Sequence, residues 1–120
     1  MAIAVKINRL RTEQAAYLAG LIDGKGTITL TRMHPRENRR LVVSISNNDA
    51  ILLLFVKTMI GAGKITTKRT YSERHARSFT YQLSSRQALD LLRQVATFLK
   101  THKAKRARLA LMVAAYAPLS

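Results

Sequence analysis

Few side chains in this 120-residue chain are equipped to make or break a covalent bond. There is no Cys, which removes thiolate nucleophiles, Cys-ligated zinc and disulfide frameworks together. His34, His75 and His102 show no metal-ligand spacing and read as loop and surface residues. Carboxylates are scarce: 6 Asp plus Glu stand against 21 Lys plus Arg, for a net charge of +15. A surplus of that size on one small domain repels itself. It usually answers a polyanion, and nucleic-acid phosphates are the first candidate. Membrane-surface binding is disfavoured, because no helix joins a basic face to a strong apolar one. The chemistry that remains belongs to hydroxyls, amides and cations, which donate to phosphates and base edges.

These groups must be positioned by a fold. The 48% apolar content suffices for a core and is too high for a disordered basic tail. No apolar run approaches the ~20 residues of a membrane-spanning helix, and the apolar start, residues 1–5, is too short for a signal-peptide core. The expectation is a soluble intracellular protein, of cytoplasm, nucleoid or organelle, and not secreted. Residues 1–11 read as a basic N-terminal arm and 12–117 as a single domain. Thr12 is a plausible N-cap with Glu13 in the first turn, and a helix follows until Gly24 and Gly26. Alternation then predicts strands at 27–31 and 41–46, joined by a turn at 34–38. Asn47-Asn48-Asp49 opens a second helix in which Ile51, Leu52, Phe55, Val56, Met59 and Ile60 recur at helical spacing. Gly61 to Gly63 stops it. Strands are predicted at 64–71 and 78–83, then helices from Ser84 or Ser85 to about Leu99 and from Lys103 to Tyr116. The order α-β-β-α-β-β-α-α lacks βαβ units, so the class is α+β with two antiparallel hairpins.

Alternation also sorts the strand faces. Opposite the apolar positions lie Thr27, Thr29 and Thr31, then Arg40, Val42, Ser44 and Ser46. The later strands add Lys64, Thr66, Lys68 and Thr70, then Ser78, Thr80 and Gln82. A solvated sheet face would be compatible with so many threonines, since Thr favours strands. Such a face normally mixes charge signs, however. This one holds no carboxylate, and Arg36, Arg39, Arg74 and Arg77 stand in the loops at its ends.

The first helix is built from small residues. Ala16 and Gly20 lie four apart with Ala19 beside them, a spacing that lets helix backbones approach closely. The neighbour could be its own sheet or a second helix. A mid-helix Gly costs ~1 kcal/mol against Ala, so Gly20 wants a packing reason. The stretch Leu18-Ala-Gly-Leu-Ile-Asp-Gly-Lys-Gly26 resembles the signature of the LAGLIDADG homing endonucleases, with seven of nine positions matching the name. The element order is similar as well, so the resemblance covers roughly residues 12–116. It implies an αββαββα(α) fold with a four-stranded, saddle-shaped antiparallel sheet. One motif per chain implies a homodimer with the motif helices packed across a two-fold axis, through Ala16, Ala19, Gly20 and Asp23. Two sheets would then straddle a long, partly palindromic duplex DNA site. The genes of such proteins often lie within introns or inteins. The chemistry implied is phosphodiester hydrolysis assisted by magnesium or another divalent cation.

On that resemblance, bases would be read by Thr29, Thr31, Arg40, Ser44, Thr66, Lys68, Ser78 and Thr80. Phosphates would be held by the loops and by Lys103, Lys105 and Arg106. Asn47, or its neighbour Asn48, falls where the family positions water, although both also suit a helix cap. Lys103 resembles the family's peripheral basic residue, and the run it starts also suits a solvated helix start. The departure is Lys25, at the eighth motif place, where the family carries its catalytic acid. An ammonium has donors only and cannot ligate a hard cation. No metal ligand is expected with Lys25 as it stands, beyond the main-chain carbonyl of Gly24, and Asp23 reads as structural. The sequence thus points to a DNA-binding homing-endonuclease relative impaired in cleavage. The alternatives are a non-cleaving RNA-binding intron maturase, a DNA-binding regulator, or a ribosomal-type RNA binder, which leaves the small-residue helix unexplained.

Overall fold

The computed structural model describes residues 6–31, 40–68 and 77–116; the side chains of Thr31, Lys68, Ala115 and Tyr116 also fall outside that description. The elements are α1 (Thr12–Lys25), β1 (Gly26–Thr31), β2 (Arg40–Asn47), α2 (Ala50–Ile60), β3 (Lys64–Lys68), β4 (Ser78–Ser84), α3 (Ser85–Val95) and α4 (Lys103–Tyr116), with a 3₁₀ turn at Ala96–Phe98. This is the α+β order expected, with most helix ends displaced by a residue or two; α3, expected to reach about Leu99, stops at Val95 and continues only as the 3₁₀ turn. The N-cap of α1 is Arg11 and not Thr12, and Gln14 Oε1 accepts the Arg11 N–H at 2.9 Å, one half of a capping box. Gly24 and Lys25 remain helical, so α1 ends at Gly26. Its Cβ position would fall 2.8 Å from Ile22 Cα; only Gly lets β1 leave the helix so closely.

The sheet order is β1-β2-β4-β3, antiparallel throughout. Two hairpins are joined through β2 and β4. Leu41, Val43, Ile45, Tyr81 and Leu83 form the buried face, as their alternation predicts. The helices cover that face with Leu18, Ala19 and Ile22 of α1, Leu53, Val56 and Ile60 of α2, and Ala88, Leu91, Leu92 and Val95 of α3. At its rim the Tyr81 hydroxyl donates to the Ala62 carbonyl at 2.6 Å, and burial pushes the phenol well above its ordinary range. α4 lies along β1, the outer strand, so one edge of the sheet is covered.

Residues 6–11, expected as part of a basic arm, are packed onto the helices. Ile7 is buried, and the Asn8 N–H donates to the Ile60 carbonyl at 2.9 Å. Residues 1–5 of the expected arm, the loop residues His34, Arg36, Arg39, Thr70, Arg74 and His75, and the domain end at 117 lie outside the described residues. No helix among the described residues is long and apolar enough to cross a membrane.

Candidate nucleic-acid interface

The pairing register assembles the polar positions into rows. Thr27, Ser44, Gln82 and Lys64 form one row across all four strands. Ser46, Thr80 and Thr66 form the next, and Thr31–Arg40 and Lys68–Ser78 lie toward the opposite hairpin ends. Thr27 Oγ1 and Ser44 Oγ are 2.6 Å apart, and Ser46 Oγ and Thr80 Oγ1 are 3.1 Å apart. A hydroxyl has one donor and two acceptor positions, so each pair keeps free capacity toward a base edge. Thr29 is half-buried and its hydroxyl donates to the Val42 carbonyl at 3.5 Å. Arg40, Lys64, Thr66 and Arg77 are exposed, and Ser78 is partly so. Thr31 and Lys68 hold their places in the register, with side chains outside the described residues.

β1 begins at Gly26, directly after Lys25, the last residue of α1. β2 runs past the final Gly26↔Ile45 pair to Ser46 and Asn47, so these residues end beside the α1–β1 junction. Lys25 is exposed. The Asp23 carboxylate is turned toward the start of α4. Its Oδ2 accepts the Lys100 N–H at 2.8 Å, and its Oδ1 accepts the Thr101 hydroxyl at 2.6 Å and the Thr101 N–H at 3.1 Å. Partial burial works against the ionised form. The Thr101 hydroxyl, the two N–H groups and the Lys103 ammonium outweigh it and hold the carboxyl below its ordinary 3.8. In return, Lys103 Nζ donates to the Ile22 and Asp23 carbonyls, both at 2.8 Å. Each helix end supplies what the other lacks: a cation for the C-terminus of α1, an anion and acceptors for the start of α4.

This clamp changes several expectations. Lys103 seals the end of α1, with one of its three donors left over. Asp23 is spent inside its own protomer and does not belong to a surface seam. Ala19 is fully buried in the core, so it too leaves the proposed helix–helix face, whereas Ala16 and Gly20 are exposed. Asn47 Oδ1 accepts the Asp49 N–H at 2.8 Å, which makes it a turn residue before α2; Asn48 is exposed. Arg106 donates to the Ile28 carbonyl of β1 at 3.2 Å, whereas Lys105 is exposed on α4. Sequence reasoning missed Lys100 and Thr101. The only signal was a Thr two residues ahead of α4, whose Oγ1 accepts the Lys103 N–H at 3.2 Å.

The donor set at the end of α1 does not suit a divalent cation. Both oxygens of Asp23 and two carbonyls are engaged, and an ammonium stands at position 25. Gly24 offers its carbonyl alone. No group of three His, Cys, Asp or Glu among the described residues could hold a metal.

The exposed surface of α1 shows Glu13, Ala16, Tyr17, Gly20 and Gly24. Added Cβ atoms at Gly20 and Gly24 would meet nothing within 4 Å. Tyr17 touches Phe55 of α2 edge to face, with ring centroids 6.1 Å apart. Around that contact α2 exposes Ile51 (76%), Leu54 (55%) and Phe55 (54%). Ile51 and Phe55, which share the helical spacing of the core residues Val56 and Ile60, are therefore on the surface. A small-residue helix face thus continues into an apolar patch.

A helix of small residues ending at the rim of a hydroxyl-and-cation sheet, in an αββαββαα order, defines a class of folds built around a motif helix. Residues 12–96 match the family model described as a LAGLIDADG-like domain, and the chain belongs to that family. No curated protein sequence matches the chain. Among solved structures, the homing endonuclease I-CvuI in complex with its target, with calcium, superposes with a TM-score of 0.68 at 19% identity. The match covers 84% of this chain and 65% of that one, so the chain spans about two thirds of that relative's length. The archaeal intron-encoded homing endonuclease I-Vdi141I, complexed with DNA, gives a TM-score of 0.63 at 16% identity, covering 86% of this chain and 69% of that one. I-CeuI, a group I intron-encoded enzyme complexed with DNA, gives 0.59 at 15%, covering 90% and 58%. At these identities the likeness establishes the fold.

Proposed function

We propose that this chain binds duplex DNA site-specifically as a two-fold dimer, and that as it stands it does not cut. The observation that carries the reading is the sheet's polar face. Its described rows hold hydroxyls, an amide and cations, with no carboxylate, and they end at the exposed Lys25. Such a face donates to bases and phosphates along a groove. Dimer formation is supported by the continuous α1–α2 surface from Ala16 and Gly20 to Phe55, with apolar groups that a second copy would cover. A two-fold dimer reads a partly palindromic site and brings twice the +15 charge to it, so affinity falls steeply with salt.

Family membership makes metal-assisted phosphodiester hydrolysis the ancestral chemistry, in which a divalent cation would lower the pKa of an attacking water. The residues at the end of α1 work against holding that cation. The Lys25 ammonium instead supplies positive charge directly, beside the phosphates that the sheet brings in. The test is selection of a binding site from random duplexes, followed by plasmid cleavage with magnesium by this chain and by Lys25→Glu. Binding without cutting by the Lys25 chain, and cutting by the Glu variant, is the expected pair. Efficient magnesium-dependent cutting by the Lys25 chain sinks the proposal.

A further inference from the structure

The polar face of the sheet is interrupted once. Among the described residues at its outward positions, Val42 is the only apolar one, and it is partly exposed. It sits on β2, an inner strand, between Arg40 and Ser44 along the same face. Its direct cross-strand partners are Thr29 of β1 and Ser84 of β4. Side chains paired in this way stand ~4.5–5.5 Å apart at Cβ. A strand's preference for β-branching is met equally by Thr, which fills this face elsewhere. Val at this place removes a hydroxyl from the middle of a surface made of hydroxyls.

The neighbours of Val42 continue the difference. In the two rows nearer the end of α1, hydroxyls meet hydroxyls, Thr27 with Ser44 and Ser46 with Thr80. In the Val42 row the Thr29 hydroxyl is turned to the Val42 carbonyl instead. Thr29 is thereby left its methyl as the group to offer. On the other side, Ser84 is partly exposed and makes no side-chain cap bond to α3. The row therefore presents two apolar groups followed by one hydroxyl.

A phosphate would gain nothing from methyl groups. A base edge does. In the major groove thymine presents its O4 acceptor beside a C5 methyl, whereas cytosine presents an N4 donor beside a bare C5. A hydroxyl both donates and accepts, so Ser84 serves either C4 group and does not choose between them. The apolar pair does choose, because only a methyl fills the contact. We infer that the Val42 row reads the C5 methyl of a pyrimidine, with Val42 and Thr29 against the methyl and the Ser84 hydroxyl on the neighbouring C4 substituent. The inference rests on the duplex-DNA reading above and adds which feature of a base one row selects. Thymine and 5-methylcytosine carry the same methyl.

The experiment selects a duplex site from random sequence with the full chain and measures its affinity by fluorescence anisotropy. Each thymine, with its two-fold mate, is then replaced by deoxyuridine, which removes the methyl and keeps the pairing. Burying one methyl is worth about fourfold in affinity, so its removal from both half-sites should cost roughly 15-fold. A loss of that size should appear at one place in each half-site, with changes of about twofold or less elsewhere. Val42→Ser should bind the thymine and uracil duplexes within about twofold of each other. Melting curves check its fold, and Val42→Thr, close to Val in shape, carries the comparison if the Ser variant melts early; it should at least halve the discrimination. Replacing the same thymine by cytosine and then by 5-methylcytosine assigns the source. A gain on methylation shows the methyl read in either base, and no gain confines the reading to thymine. Site-specific binding in which no thymine responds to uracil overturns the inference and leaves the DNA reading standing. So does a loss that persists undiminished in both Val42 variants, because uracil then acts through duplex shape. Absence of any site-specific duplex binding overturns both.

Discussion

Gly20 separates two accounts of α1. In the isolated protomer its Cβ position is empty to 4 Å and the residue is exposed within a continuous helix. Gly20→Ala should therefore stabilise the protomer by about 1 kcal/mol, the ordinary propensity difference in a helix. If α1 instead packs against its mate across a two-fold axis, the same position is where the backbones meet. Gly20→Leu then overfills the seam. Overpacking costs ~1–3 kcal/mol per site. The axis presents the substitution twice, so ~2–6 kcal/mol is lost per dimer, or a dissociation constant raised ~30-fold to ~10⁴-fold. Sedimentation equilibrium over a range of concentrations reads the dissociation. Urea unfolding at concentrations where the variant is monomeric reads the protomer. The expected outcome is a folded monomer with duplex affinity lost in proportion to dimerisation. A Gly20→Leu chain that dimerises as the parent does would refute the seam. A variant that unfolds as a monomer would refute the open face.

Three further outcomes follow from the same geometry. Ile51→Gln with Phe55→Gln should leave monomer unfolding within ~0.5 kcal/mol, as surface changes do, while raising the dimer dissociation constant in sedimentation; an unchanged constant places the α2 patch outside the interface. Asp23→Asn should cost ~0.5–2 kcal/mol at neutral pH, the range of lost helix caps. Because the native carboxyl lies below its ordinary value, its contribution is fully present above about pH 4 and is lost as pH falls through the lowered value. Urea midpoints of parent and variant should therefore converge toward pH 2.5; a constant gap down to that pH would contradict the clamp. Gly63→Ala combines a φ of +102° with a Cβ only 2.5 Å from the Tyr81 ring, and should cost more than ~2 kcal/mol. Tyr81→Phe, which only removes the hydroxyl bonded to Ala62, should cost ~1 kcal/mol, and thermal melts that reverse this order would refute the packing argument.

The sheet was legible because strand alternation is a local property. Leu41, Val43 and Ile45 had to share one face and Ser44 and Ser46 the other, and the register agrees. The joining of the hairpins through β2 and β4 is a long-range choice that no local pattern announces. Helix α2 shows a second limit. It is apolar on nearly every side, so periodicity could not tell that Leu53 and Val56 face inward while Ile51 and Phe55 face outward. The small-residue spacing of α1 was similarly ambiguous. Ala16 and Gly20 lie on one side, but Ala19 belongs to the core. The clamp was hidden for a different reason: Asp23 and Thr101 are 78 residues apart, and side-chain-to-backbone bonds at that separation follow only from the tertiary fold.

The clamp also predicts how position 25 behaves when its charge is reversed. A helix C-terminus bears roughly half a negative charge, and Lys103 already answers it through the Ile22 and Asp23 carbonyls. Lys25 adds a second cation at this end, favourable by ~0.3–1 kcal/mol and turned to solvent, where phosphate can meet it. Lys25→Glu replaces that favourable term with an unfavourable one of similar size. The variant should melt below the parent without metal. Its new oxygen ligands should then make melting responsive to magnesium. At ten times a dissociation constant, linkage restores ~1.4 kcal/mol, enough to cancel the loss. Thermal melts with and without 10 mM magnesium decide the matter. A magnesium-dependent rise in the Glu variant alone identifies residue 25 as the place where one charge decides between holding phosphate directly and holding it through a metal. Equal shifts in both chains, or none in either, would show that the cation site lies elsewhere.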